Sequence, residues 1–245
     1  MIQLYQGDCL EIMKQIPENS IDLILCDLPY GVTSNKLDVV IQFEPLWAEY
    51  DRICKGAIVL FAQGIFYIDL VNSHRKSFKY DLVWDKVLTS GFLNAKIMPL
   101  RKHEQIAVFG NGKITYNPQM TIGSPNHSKG KPKDYENNNY GYYNFVENTF
   151  SDKKYPTSIV TIPKPHPSVA NHRTEKPVEL LEWLVKTYSN EKETVLDNCM
   201  GSGSTGVACI HTDRNFIGIE LDEKYFKLAR ARLEKEESKI KTKLF

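Results

Sequence analysis

The chain has almost no net charge: 31 Lys and Arg stand against 30 Asp and Glu, a formal balance of +1. Bulk charge therefore neither selects nor excludes a polyanionic partner, and its distribution has to decide. No apolar run approaches the roughly 20 residues of a membrane-spanning helix, so no membrane partner is expected. Met1-Ile2-Gln3-Leu4-Tyr5 has neither a basic region nor a long apolar core, and no secretory leader is expected there. The five cysteines are Cys9, Cys26, Cys54, Cys199 and Cys209, and no two have the C-x-x-C spacing of a zinc or dithiol redox site. Cys9, Cys26 and Cys54 lie in or beside apolar runs and read as small buried residues in a reducing cytoplasm. Internal repeats, low-complexity tracts and metal-ligand clusters are also missing, so no metal is expected. What is there is 245 residues with 42% hydrophobic content, enough for one sizeable core.

The apolar pattern alternates between strand and helix. Ile2–Tyr5, Ile21–Cys26, Ala57–Ala62, Phe78–Trp84, Glu104–Phe109, Thr194–Leu196 and Asn215–Leu221 read as strands by length and β-branched or aromatic content. Helical spacing is predicted over Cys9–Ile16, Glu44–Cys54, Ile65–Val71, from Val178 to Tyr188, from Gly201 to Ile210 and from Asp222 to about Ser238. Pro17 ends the first helix, Lys55-Gly56 is expected to close the second, and Pro177 suits a first helical turn. Strands alternating with helices imply βαβ units and a largely parallel sheet.

Composition shifts between Asn111 and Arg173. Seven of twelve prolines and six of thirteen tyrosines fall there, with eight Lys and Arg against four Asp and Glu. The segment is thus +4 (8 − 4) and the remainder −3 (1 − 4). Lys129, Lys131 and Lys133 form its most basic stretch, and Asn137 to Tyr143 its most polar-aromatic one. Cations neutralise phosphates and flat rings stack on bases, so this segment is the candidate nucleic-acid surface. A lysine-rich solvated insertion is the plainer alternative. Three regions are expected: 1–110, an inserted 111–173, and 174–245.

Two strand ends carry chemistry. Ile21–Cys26 runs into Asp27-Leu28-Pro29-Tyr30-Gly31, which places a carboxylate and an aromatic ring where ligands bind in open α/β sheets. An ordinary turn is the bland alternative, since Asp, Pro and Gly are turn formers. Thr194–Leu196 runs into Asp197 and then Gly201-Ser202-Gly203-Ser204-Thr205-Gly206, a G-x-G-x-x-G turn opening a helix. Glu220 follows Gly201 by 19 residues at the next strand end. Glycines that admit a ligand to the backbone and an acid for ribose hydroxyls are the layout of an adenosine-cofactor site. A nicotinamide cofactor would bring a pyrophosphate to the helix N-terminus, where Asp197 is unwelcome. S-adenosylmethionine has no phosphate and an ammonium group to pair, and is preferred.

These motifs resemble those of amino-directed DNA methyltransferases. Asp27-Leu28-Pro29-Tyr30 is similar to their catalytic D/N/S-P-P-Y tetrapeptide, and Asp197 to Gly203 to their D-x-F-x-G-x-G cofactor motif. Thr174-Glu175-Lys176-Pro177 resembles the H-P-T-x-K-P stretch, Gly7-Asp8 the G-D-x-L stretch, and Phe216–Glu220 the F-I-G-I-E/D segment. The tetrapeptide precedes the cofactor motif, which is the order of the circularly permuted β class. Leu28, Asn198, Cys199 and the His172-Arg173 pair depart from the family pattern.

The resemblance implies a Rossmann-like α/β fold, circularly permuted, with helices on both sheet faces and an inserted target-recognition region. It implies methyl transfer from S-adenosylmethionine to the N6 of an adenine flipped out of double-stranded DNA. Asp27 and the Leu28 carbonyl would accept the amino hydrogens, with Pro29 holding the loop and Tyr30 stacking on the base. Asp8, with Cys9 beside it, would meet the cofactor's adenine, Glu220 its ribose and Asp197 its ammonium. Thr174 would hold its carboxylate, Lys176 would join the cofactor residues, and Gly201 and Gly203 would admit it to the backbone. Asp8 also fits a simple helix cap. Lys129, Lys131 and Lys133 would contact DNA. Cytosine N4 as target, a nicotinamide-dependent oxidoreductase and a catalytically decayed DNA-binding module stay open. So do a homodimer and a cognate restriction endonuclease as partners.

Overall fold

The computed structural model describes residues 1–31, 38–125, 135–137, 141–143, 151–164 and 175–243. In chain order they form β1 (Ile2–Gln6), α1 (Cys9–Met13), β2 (Ile21–Cys26), α2 (Phe43–Ile53), β3 (Cys54–Ala62), α3 (Ile65–Ser73), β4 (Phe78–Ser90) and β5 (Arg101–Gly110). Next come β6 (Thr121–Ile122), β7 (Tyr135–Asn137), β8 (Gly141–Tyr143), β9 (Lys153–Lys154) and β10 (Ile159–Thr161). The chain finishes with α4 (Val178–Tyr188), β11 (Thr194–Asp197), α5 (Ser204–His211), β12 (Asn215–Glu220) and α6 (Glu223–Lys243). None of the described helices is long and apolar enough to cross a membrane.

The chain divides into two compact units. Pro118–Thr157 is the smaller, with β6 antiparallel to β9 and β7 antiparallel to β8. Met1–Asn117 and Ser158–Phe245 make the larger, where eight described strands form one sheet in the order β1-β12-β11-β2-β3-β5-β4-β10. Its pairings are parallel except those of β5, which runs antiparallel to both neighbours. No crossover helix separates β4 from β5, so their direct connection reverses the chain.

Strand alternation builds two cores. Leu23 and Leu25 of β2, with Ala57, Val59 and Phe61 of β3, face one side and meet Leu181, Leu184 and Val207 from α4 and α5. Ile24 and Cys26, with Ile58 and Leu60, face the other and meet Leu46, Tyr50 and Leu70 from α2 and α3. The sheet is therefore covered on both faces, which explains why its strands read as continuous apolar runs.

Several expected boundaries move: α1 ends at Met13, short of Ile16, and α6 runs on to Lys243. The Lys55-Gly56 helix stop falls inside β3, because Cys54 already pairs with Ile21. A Cβ at residue 56 would lie 1.8 Å from the Asp22 carbonyl oxygen, so glycine answers a close strand approach at a register shift, not a helix end. β4 and β5 run beyond Trp84 and before Glu104, since their antiparallel ladder continues past the buried core.

Candidate active site

Strand direction gathers the chemistry at one edge. β2 and β11 are parallel neighbours, with Leu196 opposite Ile24, although some 170 residues separate them in the chain. Asp27 and Asp197 thus leave adjacent strands at their carboxyl ends. β1 and β12 pair so that Gln6 faces Glu220, which brings Gly7-Asp8 to the same edge. β5 is antiparallel, so its amino end arrives there and carries Glu104 opposite Trp84. These residues line one cleft of about 620 Å³, with Leu28, Pro29, Tyr30, Lys176, Cys199 and Gly201 also on its walls. That size suits a cofactor-sized ligand.

At the β2 end the two oxygens of Asp27 have different partners. Tyr30 Oη donates to Oδ1 at 2.8 Å, and Lys176 Nζ donates to Oδ2 at 2.5 Å. The Tyr30 ring lies against Phe66 at 4.8 Å, so one face is supported from within. Burial and the Asp27 charge push the Tyr30 hydroxyl up, and it remains a donor. The Leu28 side chain is buried in the α1–α3 core. Lys176 also lies 3.4 Å from Glu104 Oε2, and Lys86 Nζ reaches Glu104 Oε1 at 3.1 Å. Burial works against the Lys176 charge, yet Asp27 and Glu104 outweigh it and raise the ammonium above its ordinary value. Burial likewise raises Glu104, but Lys176 and Lys86 outweigh it and hold the carboxyl below its usual range. The result is an alternation of charges that runs from the half-buried Asp27 through Lys176 and Glu104 to the buried Lys86.

At the β11 end Asp197 is committed to its own turn. Its Oδ1 accepts the Cys199 N–H at 3.1 Å and its Oδ2 the Thr205 hydroxyl at 2.6 Å. Burial pushes the carboxyl up to about 6. Gly201 has φ +51, and nothing lies within 4 Å of where its Cβ would stand, so the backbone is open to the cleft. Glu220 accepts from the Gly201 N–H at 2.9 Å and the Asp222 N–H at 2.8 Å, tying the β12 end to the glycine turn. Asp8 caps α1, accepting from the Leu10 N–H at 2.8 Å, while also lining the cleft. The Cys9 thiol is pushed up by hydrogen bonding to Cys199 and by burial, and burial pushes Cys26 up to about 12. These thiols are neutral. Among the described residues, no group of His, Cys, Asp or Glu is arranged to hold a metal ion.

The cleft therefore brings together Asp8, Cys9, Asp27, Leu28, Pro29, Tyr30, Lys176, Asp197, Gly201 and Glu220. Gly203 is not on its wall; it meets α6, where a Cβ would lie 3.1 Å from that of Ala229. Thr174, Lys129, Lys131 and Lys133 lie outside the described residues. Sequence reasoning missed Glu104 and Lys86, which carry no motif, and Glu175. The last accepts from Ser204 Oγ at 2.9 Å and pairs with Arg232 at 2.6 Å. It also missed Tyr50, whose hydroxyl donates to Asn198 Oδ1 at 2.5 Å and ties α2 to the cofactor motif.

A family model described as DNA methylase matches residues 21–231. The chain belongs to the DNA methylase family. Among curated relatives, DNA adenine methyltransferase YhdJ of Escherichia coli (strain K12) is 29% identical over 251 residues, covering 94% of this methylase and 82% of the relative. Type II methyltransferase M2.MboI of Moraxella bovis is 25% identical over 247 residues, covering 94% and 86%. The crystal structure of the M1.HpyAVI–SAM complex superposes with a TM-score of 0.66 at 25% identity, covering 95% of this methylase and 99% of that chain. PvuII DNA methyltransferase (cytosine-N4-specific) shares the fold, with a TM-score of 0.66 at 14% identity over 98% and 92%.

Proposed function

We propose that this methylase moves a methyl group from S-adenosylmethionine to the exocyclic N6 of an adenine flipped out of double-stranded DNA. The observation that carries the reading is the meeting, in one cleft, of the Asp27–Tyr30 tetrapeptide with Asp197, Gly201 and Glu220. The residues present fit the cofactor. The Gly201 backbone is open where a Cβ would intrude, and acceptors for ribose and ammonium stand at the same edge. Glu220 would hold the ribose, Asp8 and Cys9 the adenine, and Asp197 the ammonium. Bound there, the cofactor supplies an electrophilic methyl group on a sulfonium.

The chain's own residues handle the amine. Asp27 and the Leu28 carbonyl accept its two hydrogens, which draws electron density onto nitrogen and turns its lone pair out of the ring. Burial of the Leu28 side chain supports a role through its backbone alone. Tyr30, backed by Phe66 and lining the cleft, would stack on the base, whose extraction from the duplex costs about a few kcal/mol. Catalysis on this reading is positioning and charge stabilisation. The catalytic segment precedes the cofactor segment in the chain, which supports a circularly permuted arrangement. The basic segment 111–173, with Lys129, Lys131 and Lys133, is the part assigned to reading DNA, and the cytoplasm is the working compartment. The relatives' type II naming supports a restriction–modification role beside an endonuclease of the same recognition sequence.

A cytosine N4 target is the second reading, because a tetrapeptide that opens on Asp27 serves either exocyclic amine. Expression in a methylation-free host, followed by single-molecule sequencing, decides between them. N6-methyladenine in a fixed context is the expected result; N4-methylcytosine would transfer the assignment, and unmodified DNA would end it. Asp27→Ala in the same host is expected to lower modification by about 100-fold or more.

A further inference from the structure

The Glu175-Lys176 pair joins the two halves of the cleft. Glu175 is bound by Ser204 on α5 and Arg232 on α6, on the glycine-turn side. The next residue reaches the opposite way, placing Lys176 Nζ 2.5 Å from Asp27 and 3.4 Å from Glu104. The Lys176 side chain is only 10% exposed and lies over the Phe61 ring, with Nζ 4.8 Å from the centroid. Lys86, 4% exposed, closes the series on Glu104. Burying two ammonium groups is costly, and well-packed apolar residues would often serve stability as well. This expensive arrangement converges on the one carboxylate that the reaction needs.

We propose that Lys176 is a positioning residue for methyl transfer: its ammonium fixes the orientation of the Asp27 carboxylate, and Glu104, anchored by Lys86, fixes Lys176. The inference rests on the proposed function and gives Lys176 a task other than cofactor binding. Each carboxylate oxygen has more than one lone-pair direction, so Asp27 can accept from Lys176 and Tyr30 and still receive an amine. With Oδ2 held by Lys176 and Oδ1 by Tyr30, rotation of the carboxylate is blocked and its acceptor direction is set before the base arrives. Lys176 also pairs with one oxygen of each carboxylate, Asp27 and Glu104, and so offsets the charge of both. Glu104 Oε2 has no hydrogen-bond partner of good geometry, and the longer Lys176 contact is its compensation.

The test is single-turnover methyl transfer to duplex DNA by wild type, Lys176→Met, Lys176→Arg and Glu104→Gln. Cofactor affinity is measured by calorimetry, duplex affinity by anisotropy and folding by thermal melts. Lys176→Met is expected to lower the saturated rate by about 100-fold, as for a misplaced reacting group. Both affinities should stay within about threefold of wild type, which marks an interaction used only at the chemical step. Lys176→Arg should recover about tenfold of that loss, because charge and donor are retained. Added to Asp27→Asn, Lys176→Met should cost less than about threefold more, since the two act as a unit. A Lys176→Met protein with wild-type rate would overturn the proposal. So would one whose loss appears only as weaker cofactor binding. Should Lys176→Met melt early, Glu104→Gln decides: a reduced saturated rate with intact affinities supports the series, and a wild-type rate refutes it. Wild type in the same assay separates the two ideas, because an active wild type with an indifferent Lys176 sinks only the positioning role.

Discussion

Asp197 spends both of its oxygens on its own turn, at Thr205 and Cys199, and burial lifts its carboxyl from 3.8 to about 6. A raised carboxyl means that the folded state holds its proton more tightly than the unfolded chain. Its stability contribution is therefore full below pH 3.8 and is lost as pH rises through about 6. The span corresponds to about 3 kcal/mol at about 1.4 kcal/mol per tenfold. Relative to Asp197→Asn, wild type should thus gain up to about 3 kcal/mol between pH 7 and pH 4, read by urea unfolding at each pH. A constant difference would show that Asp197 titrates normally. Motif residues such as Asp27, Tyr30, Asp197 and Glu220 are legible in the chain because each needs fixed neighbours: a strand end, a tight turn, a spaced acid. Glu104 is not legible. Its neighbours in sequence are an ordinary strand, and only the antiparallel direction of β5 brings it to the cleft.

Packing of α5, α6 and β12 sets the glycine turn from behind. Gly206 is the third glycine of the turn motif, and a Cβ there would lie 2.8 Å from both Leu233 and Phe216. Gly206→Ala must push α6 or β12 outward, and is expected to cost about 1–3 kcal/mol, the usual range for overpacking. The midpoint of denaturant unfolding reads this, and an unchanged midpoint would mean that α6 yields freely. The helices and most strands follow from periodicity because each buries one face or both. The strand limits that move do so for pairing reasons: Cys54 joins β3 through Ile21, and β4 and β5 lengthen each other. No local pattern encodes who the partner strand is.

Across the whole molecule, the smaller unit Pro118–Thr157 is inserted into a chain whose two flanks make one sheet. Asn117 is held by the Thr187 carbonyl and Ser158 by Val83, so both flanks of the insertion are anchored within the larger unit. Replacing 118–157 by a flexible Gly/Ser linker is expected to leave cofactor affinity within about threefold, as the linker adds no contacts of its own. Duplex affinity should fall by about tenfold or more through lost phosphate contacts. Equal loss of both would show that the larger unit needs the smaller to fold. Residue order and periodicity are enough to specify a doubly covered α/β sheet, two chemical strand ends and the carboxylates upon them. They suffice because those features are local, each set by a strand, a turn and a few neighbours. Tertiary structure alone makes β2 and β11 neighbours and turns Glu175 and Lys176 to opposite walls of the cleft. It also joins Asp27 to Lys176, Glu104 and Lys86 in one series of charges, because such pairings link residues far apart in the chain through strand direction and burial.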